Sequence, residues 1–329
     1  MAKKTSINTP LSKQSQTAVE HFSEAISSEA ISSEALSSRA IEAQREVAGR
    51  SLWADARRRF LGNRAAVLSL VMLMVILLLV LFGSSASQYT FDEIDWSNMT
   101  SPPSFETGHY FGTDHLGRDL FVRTLEGGRI SFIVGILGAL VAVIIGTVYG
   151  SIAGYLGGRI DVVMMRTVEI LESFPFMFLV ILLVTFFGRS ILLIFIAIGA
   201  VSWLDMARIV RGQTLSLKRR EFVDAAIISG ANTRQVLFRH LIPNLLGIVV
   251  VYASLLVPGM ILFESFLSFL GLGVQEPMTS WGALVHEGSL SIEVAIWQLI
   301  FPTAFLVVTL FCFNFIGDGL RDALDPSER

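Results

Sequence analysis

The chain has 329 residues, of which 53% are apolar and only 16% charged, with a mean hydropathy of +0.63. Soluble domains sit nearer about 45–50% apolar and about 25% charged, so this composition excludes an ordinary water-soluble domain and directs the surplus to lipid. The net charge of −3 decides little as a total, and the single cysteine, Cys312, excludes an intramolecular disulfide and a cysteine-based metal site.

Residues 1–50 are low in complexity, with SEAIS-SEAIS-SEALS-SRAIE repeating every five residues. A period of five sets Ile26, Ile31, Leu36 and Ile41 about 140° apart on a helix, so no single apolar face forms. A disordered tail is expected there. The stretch SLWADARRRF follows, and Trp53, Phe60 and three arginines fit a helix lying on the inner leaflet, or else a simple extension of the first span. No signal peptide is visible, because the first apolar run begins only after residue 60.

Hydropathy predicts six spanning helices at about 65–83, 130–154, 167–187, 190–210, 245–270 and 296–317. The domains expected are the tail 1–50, an interfacial helix with the first span over 51–83, an outer segment 84–128, and a five-helix core over 129–329. Arg57, Arg58, Arg59 and Arg64 crowd the entry to the first span, and the 211–244 segment holds Arg211, Lys218, Arg219, Arg220, Arg234 and Arg239. Segment 84–128 carries seven acids against Arg118 and Arg123, and segment 273–295 has Glu276, Glu287 and Glu293 with no lysine or arginine. The basic segments belong in the cytoplasm, so both termini are expected there; Arg189, in a tight outer turn, is the one dissenter.

Within the second span Gly146, Gly150, Gly154 and Gly158 recur every four residues, which predicts one helix face that another backbone can approach closely. Pro258-Gly259 in the fifth span is either a hinge or static geometry. Glu264, deeper in the same span, either lines a solute path or hydrogen-bonds to neighbouring helices near the outer interface, the second reading being favoured. Asp205 and Arg208, three apart, are expected to pair, and Asp161, Arg166, Glu169 and Glu172 to order the entry to the third span ahead of Pro175.

No phosphate-cradling G-x-x-x-x-G-K-[ST], H-E-x-x-H or G-x-S-x-G sequence occurs, and the five histidines are scattered, so no catalytic or metal role is expected of this chain. The polar interval Glu221–Asn244 is different. Glu221 and Asp224 put acid in the first turn of a helix, Ala225 and Ala226 give it a smooth surface, and Gly230 permits a turn. A second short helix, about 233–241, is expected to end at Pro243-Asn244. The result is a helix–turn–helix spur fit for a partner's groove, or an ordinary inter-span loop.

Asp224-Ala225-Ala226, then Gly230, then Ile242-Pro243 resembles the EAA motif of binding-protein-dependent ABC importer permeases, with Asp224 standing where glutamate is usual. His240-Leu241-Ile242-Pro243-Asn244 and the stretches Gly112-Thr113-Asp114, Gly117-Arg118-Asp119 and Gly128-Arg129-Ile130-Ser131 resemble the dipeptide/oligopeptide branch. From Ser51 to the C-terminus the chain is similar to the C-type membrane components of oligopeptide permeases, in stretches such as GHYFGTDHLGRDL and CFNFIGDGLRDALDP.

That resemblance implies a type I importer permease core, MetI-like, with a cytoplasmic coupling helix in the loop 213–244. It implies a multi-pass protein of the bacterial inner membrane that forms half of a pore with a homologous, B-type permease. Two ATPases, of the D and F types, would bind ATP and Mg, and a periplasmic binding protein would deliver oligopeptides. No cofactor on this chain and no nucleic acid are implied. Glu221, Asp224, Ala225, Ala226, Gly230 and Pro243 would form the ATPase-coupling element. The competing readings are a permease for dipeptides or another delivered solute, a passive channel or secondary transporter, and a membrane enzyme. Secondary transporters favour an inverted repeat and mid-membrane ionisable groups, neither of which is clear here.

Overall fold

The computed structural model describes the backbone of residues 52–188 and 191–324, and all their side chains but those of 52–53, 176–177, 183–184, 191–198 and 200. The expectations for the tail 1–50, for the Trp53 side chain and for Arg189 lie outside the described residues. The chain divides after Asp55, and the unit Ala56–Arg329 carries the fold.

The described residues are helical, joined by turns, with no strand among them beyond a single bridge, Thr113 to Asp119. In chain order the helices are α1 (Leu52–Gly62), α2 (Arg64–Phe82), α3 (Leu120–Leu156), α4 (Gly158–Ser173), α5 (Phe176–Phe187), α6 (Ile191–Leu217) and α7 (Glu221–Ile228). They are followed by α8 (Thr233–Phe269), α9 (Trp281–Leu290) and α10 (Trp297–Leu324). By length and composition α2, α3, α8 and α10 can each cross a membrane. The bent pair Gly158–Ser173 and Phe178–Phe187 adds a fifth crossing if it is one span.

Several ends differ from the hydropathy reading, each for a local reason. Helix α3 begins ten residues before the predicted 130, because the Asp119 carboxylate caps it by accepting the Val122 N–H at 2.8 Å. At 37 residues, α3 is about 55 Å long, well beyond the roughly 30 Å hydrocarbon layer. The predicted third span, 167–187, is two helices turned by 73°. Pro175 has no N–H to continue the ladder and forces Phe174 into extended geometry, ψ 129°.

Helix α3 is the axis of the bundle and packs chiefly on α6 and α8, while α2 and α9 lie against α10. One core gathers Val134, Ala139, Ala142 and Met260 between α3 and α8. A second surrounds Trp281, which is fully buried and donates its indole N–H to the Thr124 carbonyl at 2.9 Å. A third joins Met206 and Val210 of α6 to Leu245 and Val249 of α8. Leucines, valines and phenylalanines remain exposed along α2, α3, α8 and α10, the surface expected to face lipid.

The glycine spacing is realised at three of its four positions. A Cβ at Gly146 would stand 2.6 Å from the Met206 Cβ, and one at Gly154 would stand 2.8 Å from the Arg211 carbonyl oxygen. Gly150 lies still closer to the Ala207 carbonyl. The backbones of α3 and α6 are thus in direct contact along this face. Gly158 is a correction: α3 ends at Leu156, and Gly158 opens α4 with open space where a Cβ would project.

Candidate functional site

The spur is α7 with the first turns of α8. Glu221 and Asp224 occupy the first turn of α7, where the helix dipole favours acid. The helix ends in two bonds, Ala231 N–H to the Ala226 carbonyl at 3.0 Å and Gly230 N–H to the Ile227 carbonyl at 2.9 Å. This pair is a Schellman motif, and it needs the left-handed residue that Gly230 supplies, φ +87°. Asn232 then starts α8 with a capping box: its side chain accepts the Gln235 backbone N–H and its own N–H donates to the Gln235 side-chain Oε1, both at 2.9 Å.

The second short helix expected over 233–241 does not stop at Pro243. It continues as α8 to Phe269, through one wide turn at Val236–Leu241 in which Ile242 N–H bonds the Leu237 carbonyl five residues back. This local widening lets the chain carry Pro243, which has no N–H to give. The second arm of the spur and the span are therefore one continuous rod of 37 residues, Thr233–Phe269, to which α7 is joined by the Gly230 turn.

Only one face of the spur is used within the chain. Val223, Val236, Leu237 and Leu241 are buried together and rest against Ile152 and Tyr155 of α3 and Leu217 of α6. Ala226 also turns inward, 8% exposed, so of the two alanines only Ala225 faces out. On the outer side Ile228 is 86% exposed and Ile227 48%, beside exposed Glu221, Asp224, Ala225 and Phe222. Asp224 forms no ion pair among the described residues.

Beneath the spur, α4 is fastened to α6. Arg211 grips Asp161 with two bonds, and Arg208 pairs with Glu172. The expected Asp205–Arg208 pair is looser, 3.9 Å, because Glu172 reaches Arg208 from across the helix gap. Lys218 closes the end of α3 by donating to the Gly154 carbonyl at 2.8 Å.

At the far end of α8 Glu264 is fully buried. Its carboxyl accepts from Ser131 Oγ of α3 at 3.0 Å and from Ser268 Oγ at 2.6 Å. Ser131 Oγ in turn accepts the Trp281 N–H at 3.3 Å, so Glu264 ties α8, α3 and α9 together. Above it lies an ion cluster that the sequence reading did not assemble. Asp114 binds Arg118 Nε at 2.6 Å and also Arg123, which donates to Glu287 at 3.0 Å, while Arg118 reaches Glu276 at 3.0 Å. Burial pushes the Asp114 carboxyl up, but Arg123 and Arg118 outweigh it and hold the group below the ordinary carboxylate value. Asp119, whose burial dominates, is pushed above that value. His109 is fully buried between Asp119 at 2.8 Å and Asp95 at 3.4 Å and stacks on Tyr89. The one available signal was that Arg118 and Arg123 are the only basic residues of an acidic segment.

This bundle, with a helical spur carried on one rod, is the architecture of a transport component of the ABC-importer class. The family described as the binding-protein-dependent transport system inner membrane component matches residues 146–329, and the chain belongs to it. It is accordingly an all-α, multi-pass permease of the inner membrane, built on the type I importer fold, and the ATP hydrolysis of such systems is done by separate subunits. The N-terminal TM domain of oligopeptide transport permease C matches residues 51–103.

Among its relatives, the oligopeptide transport system permease protein OppC of Escherichia coli strain K12 is 63% identical over 319 residues, 97% of this chain and 99% of that protein. OppC of Bacillus subtilis strain 168 is 44% identical over 279 residues, covering 85% and 91%. The dipeptide transport system permease protein DppC of the same strain is 43% identical over 276 residues, covering 84% and 86%.

Proposed function

We propose that this chain forms half of the translocation pore of an oligopeptide importer and that its spur, residues 221–244, is driven by a partner ATPase. The observation that carries this reading is the division of α7 into two faces. Val223 and Ala226 root it in the bundle, while Ile227 and Ile228 project without a core partner among the described residues. An apolar knob flanked by Glu221 and Asp224 on an anchored helix suits insertion into a groove of another protein. Oligopeptide as the solute is supported by the names of the nearly full-length relatives; a dipeptide is the alternative that the DppC likeness keeps open.

The remaining parts follow as proposals. Six spans, with both termini cytoplasmic, agree with the basic residues near α1 and the spur and the acidic outer segments. A homologous, B-type permease would complete the pore, the D-type and F-type ATPases would bind ATP and Mg, and a periplasmic binding protein would deliver the peptide. This chain needs no cofactor of its own.

The geometry supplies a transmission. A push on α7 reaches α8 through the packing of Val223 on Val236, Leu237 and Leu241 and through the Gly230 turn, and reaches α3 and α6 through Ile152 and Leu217. The glycine contact makes α3 and α6 move as a pair. Contacts equal in both states of the transporter would drive nothing, so the spur must bind the ATPases differently in each.

The test is Ile228→Glu and Asp224→Lys in the whole complex in proteoliposomes. Loss of ATP hydrolysis stimulated by peptide-loaded binding protein, with assembly intact, is expected. Normal stimulation in both variants would overturn the coupling role.

A further inference from the structure

The arginines at the start of the fold have a use beyond setting topology. Helix α1 does not run straight into α2. Asn63 is extended, ψ 101°, and caps α2 by accepting the Ala66 N–H at 3.2 Å, so the chain changes direction there. The inward side of α1 is fixed: Ala56 is buried, and Phe60 lies 3.3 Å from where a Cβ on Gly319 of α10 would stand. The outward side carries Arg57, Arg58 and Leu61, one helical turn of exposed residues.

Arg64 heads a second exposed row. Leu68, Val71, Val75, Leu78 and Phe82 follow it along α2 at alternating steps of four and three, each between 47% and 67% exposed. These steps keep them on one side of the helix. From Arg64 to Phe82 the row spans about 27 Å, close to the hydrocarbon thickness of a bilayer. Arg64 therefore heads the row at the depth of the lipid phosphates, one residue past the Asn63 turn that joins it to α1, the helix carrying Arg57 and Arg58. Arg57, Arg58 and Arg64 form no ion pair among the described residues, and the exposed Asp318 and Asp322 of α10 do not engage them. Guanidinium groups without an ion pair among the described residues, at the head of a lipid-length apolar row and on the helix joined to it, are complementary to a molecule with an anionic phosphate head and two acyl chains.

We infer that Arg57, Arg58 and Arg64 form a binding site for an acidic phospholipid, the guanidinium groups taking the phosphate and the Leu68–Phe82 row taking the acyl chains. The site rests on α2 being a span and does not depend on the coupling role of the spur. Three charges held by two helices that meet at Asn63 recognise a headgroup and at the same time hold α1 against the membrane surface. The capped turn gives the bound lipid a fixed seat against the flank of α10.

The test uses the assembled transporter in mixed vesicles of phosphatidylcholine and phosphatidylglycerol, followed by native mass spectrometry of retained lipid. The parent is expected to retain phosphatidylglycerol preferentially and to lose that preference as salt rises. Replacing all three arginines by glutamine should reduce the preference severalfold, while replacement by lysine should keep most of it. Undiminished preference in the glutamine variant, with the complex intact, would overturn the proposal. So would loss of the partner permease from that variant with lipid retention unchanged, since the face would then be a protein contact. A photoactivatable phosphatidylglycerol applied to the parent needs no variant. Labelling of residues 56–68 supports the site, and labelling confined to other helices rejects it. The spur variants should retain the lipid normally, which separates this outcome from that of the coupling test.

Discussion

Arg211 holds Asp161 through two parallel bonds, Nε to Oδ1 at 2.5 Å and Nη2 to Oδ2 at 2.6 Å, binding the inner end of α6 to the first turn of α4. Fork-to-fork pairing fixes orientation as well as distance. Arg211 is also the residue whose carbonyl faces Gly154 of α3, so three helices meet at this one position.

Replacing Asp161 by asparagine should loosen that junction without unfolding the protein, because Arg211 is about a third exposed and water can take over its hydrogen bonds. The expected outcome is a reconstituted transporter that hydrolyses ATP but moves less peptide per ATP. Uptake and hydrolysis measured on the same vesicles give the ratio, and an unchanged ratio would mean that the pair is only a surface fastening.

The α3–α6 contact makes a sharper claim. A methyl group at Gly150 would collide with the Ala207 carbonyl, and backbone atoms cannot step aside as a flexible side chain can. Gly150→Ala should therefore cost on the order of 1–3 kcal/mol, read as a lower melting temperature in detergent. Gly247, within α8, has open space where its Cβ would go, so Gly247→Ala should be neutral or stabilising by up to about 1 kcal/mol. Equal effects at the two positions would show that close packing is not what Gly150 is for.

These two sites mark how far the sequence could be read. A spacing of four placed Gly146, Gly150 and Gly154 on one face, which is a local property of helices. It could not say that the facing helix is α6, because that contact joins residues more than fifty apart. The same spacing overreached at Gly158, where the left-handed Gly157, φ +67°, had already ended the helix. Among the described residues four of the six expected spans are helices long and apolar enough to cross, and hydropathy missed their ends, since caps such as Asp119 and breaks such as Pro175 act through single backbone bonds that a window average ignores. The spur was legible as a motif. Its continuity with α8 was not, because Pro243 reads as a stop until the wide turn around Leu237 is seen to absorb it. Glu264 was visible as a charge in a span, but Ser131, 133 residues away, was not visible as its partner.

The ion cluster around Asp114 predicts a pH dependence. Asp114 is held below the ordinary carboxylate value, so the folded state binds fewer protons than the unfolded one. Its contribution to stability is then fully present above the unfolded value and is lost as pH falls through the depressed folded value. Asp114→Asn should lower the melting temperature of the detergent-solubilised protein at neutral pH, because it leaves Arg123, which is 1% exposed, with Glu287 alone as its carboxylate partner. The gap between parent and variant should hold down to the ordinary carboxylate range and narrow below it. Asp119, raised by burial, has the opposite sign and weakens the fold as pH rises through its window, so Asp119→Asn should not reproduce that profile. A gap that stays constant into strong acid would show that Asp114 is not acting through its charge.

Glu264 offers the cleanest separation of a structural role from a transport role. Both carboxyl oxygens are occupied, one by Ser131 and one by Ser268, and hydroxyl groups can turn from donor to acceptor. Glutamine can therefore keep the ties between α8, α3 and α9, with an amide N–H now donating to one serine. Leucine cannot; it leaves the O–H donors of two buried serines without their acceptor, at about 1–3 kcal/mol each. Glu264→Leu is expected to lower the melting temperature and the yield of assembled complex, and Glu264→Gln to leave both near the parent. Peptide uptake by the glutamine variant then decides between the two readings made from the sequence. Unchanged uptake assigns Glu264 to holding α8, α3 and α9 together. Lost uptake in a fully assembled, thermally normal complex would instead require the negative charge itself, and with it a place for Glu264 on the peptide's route.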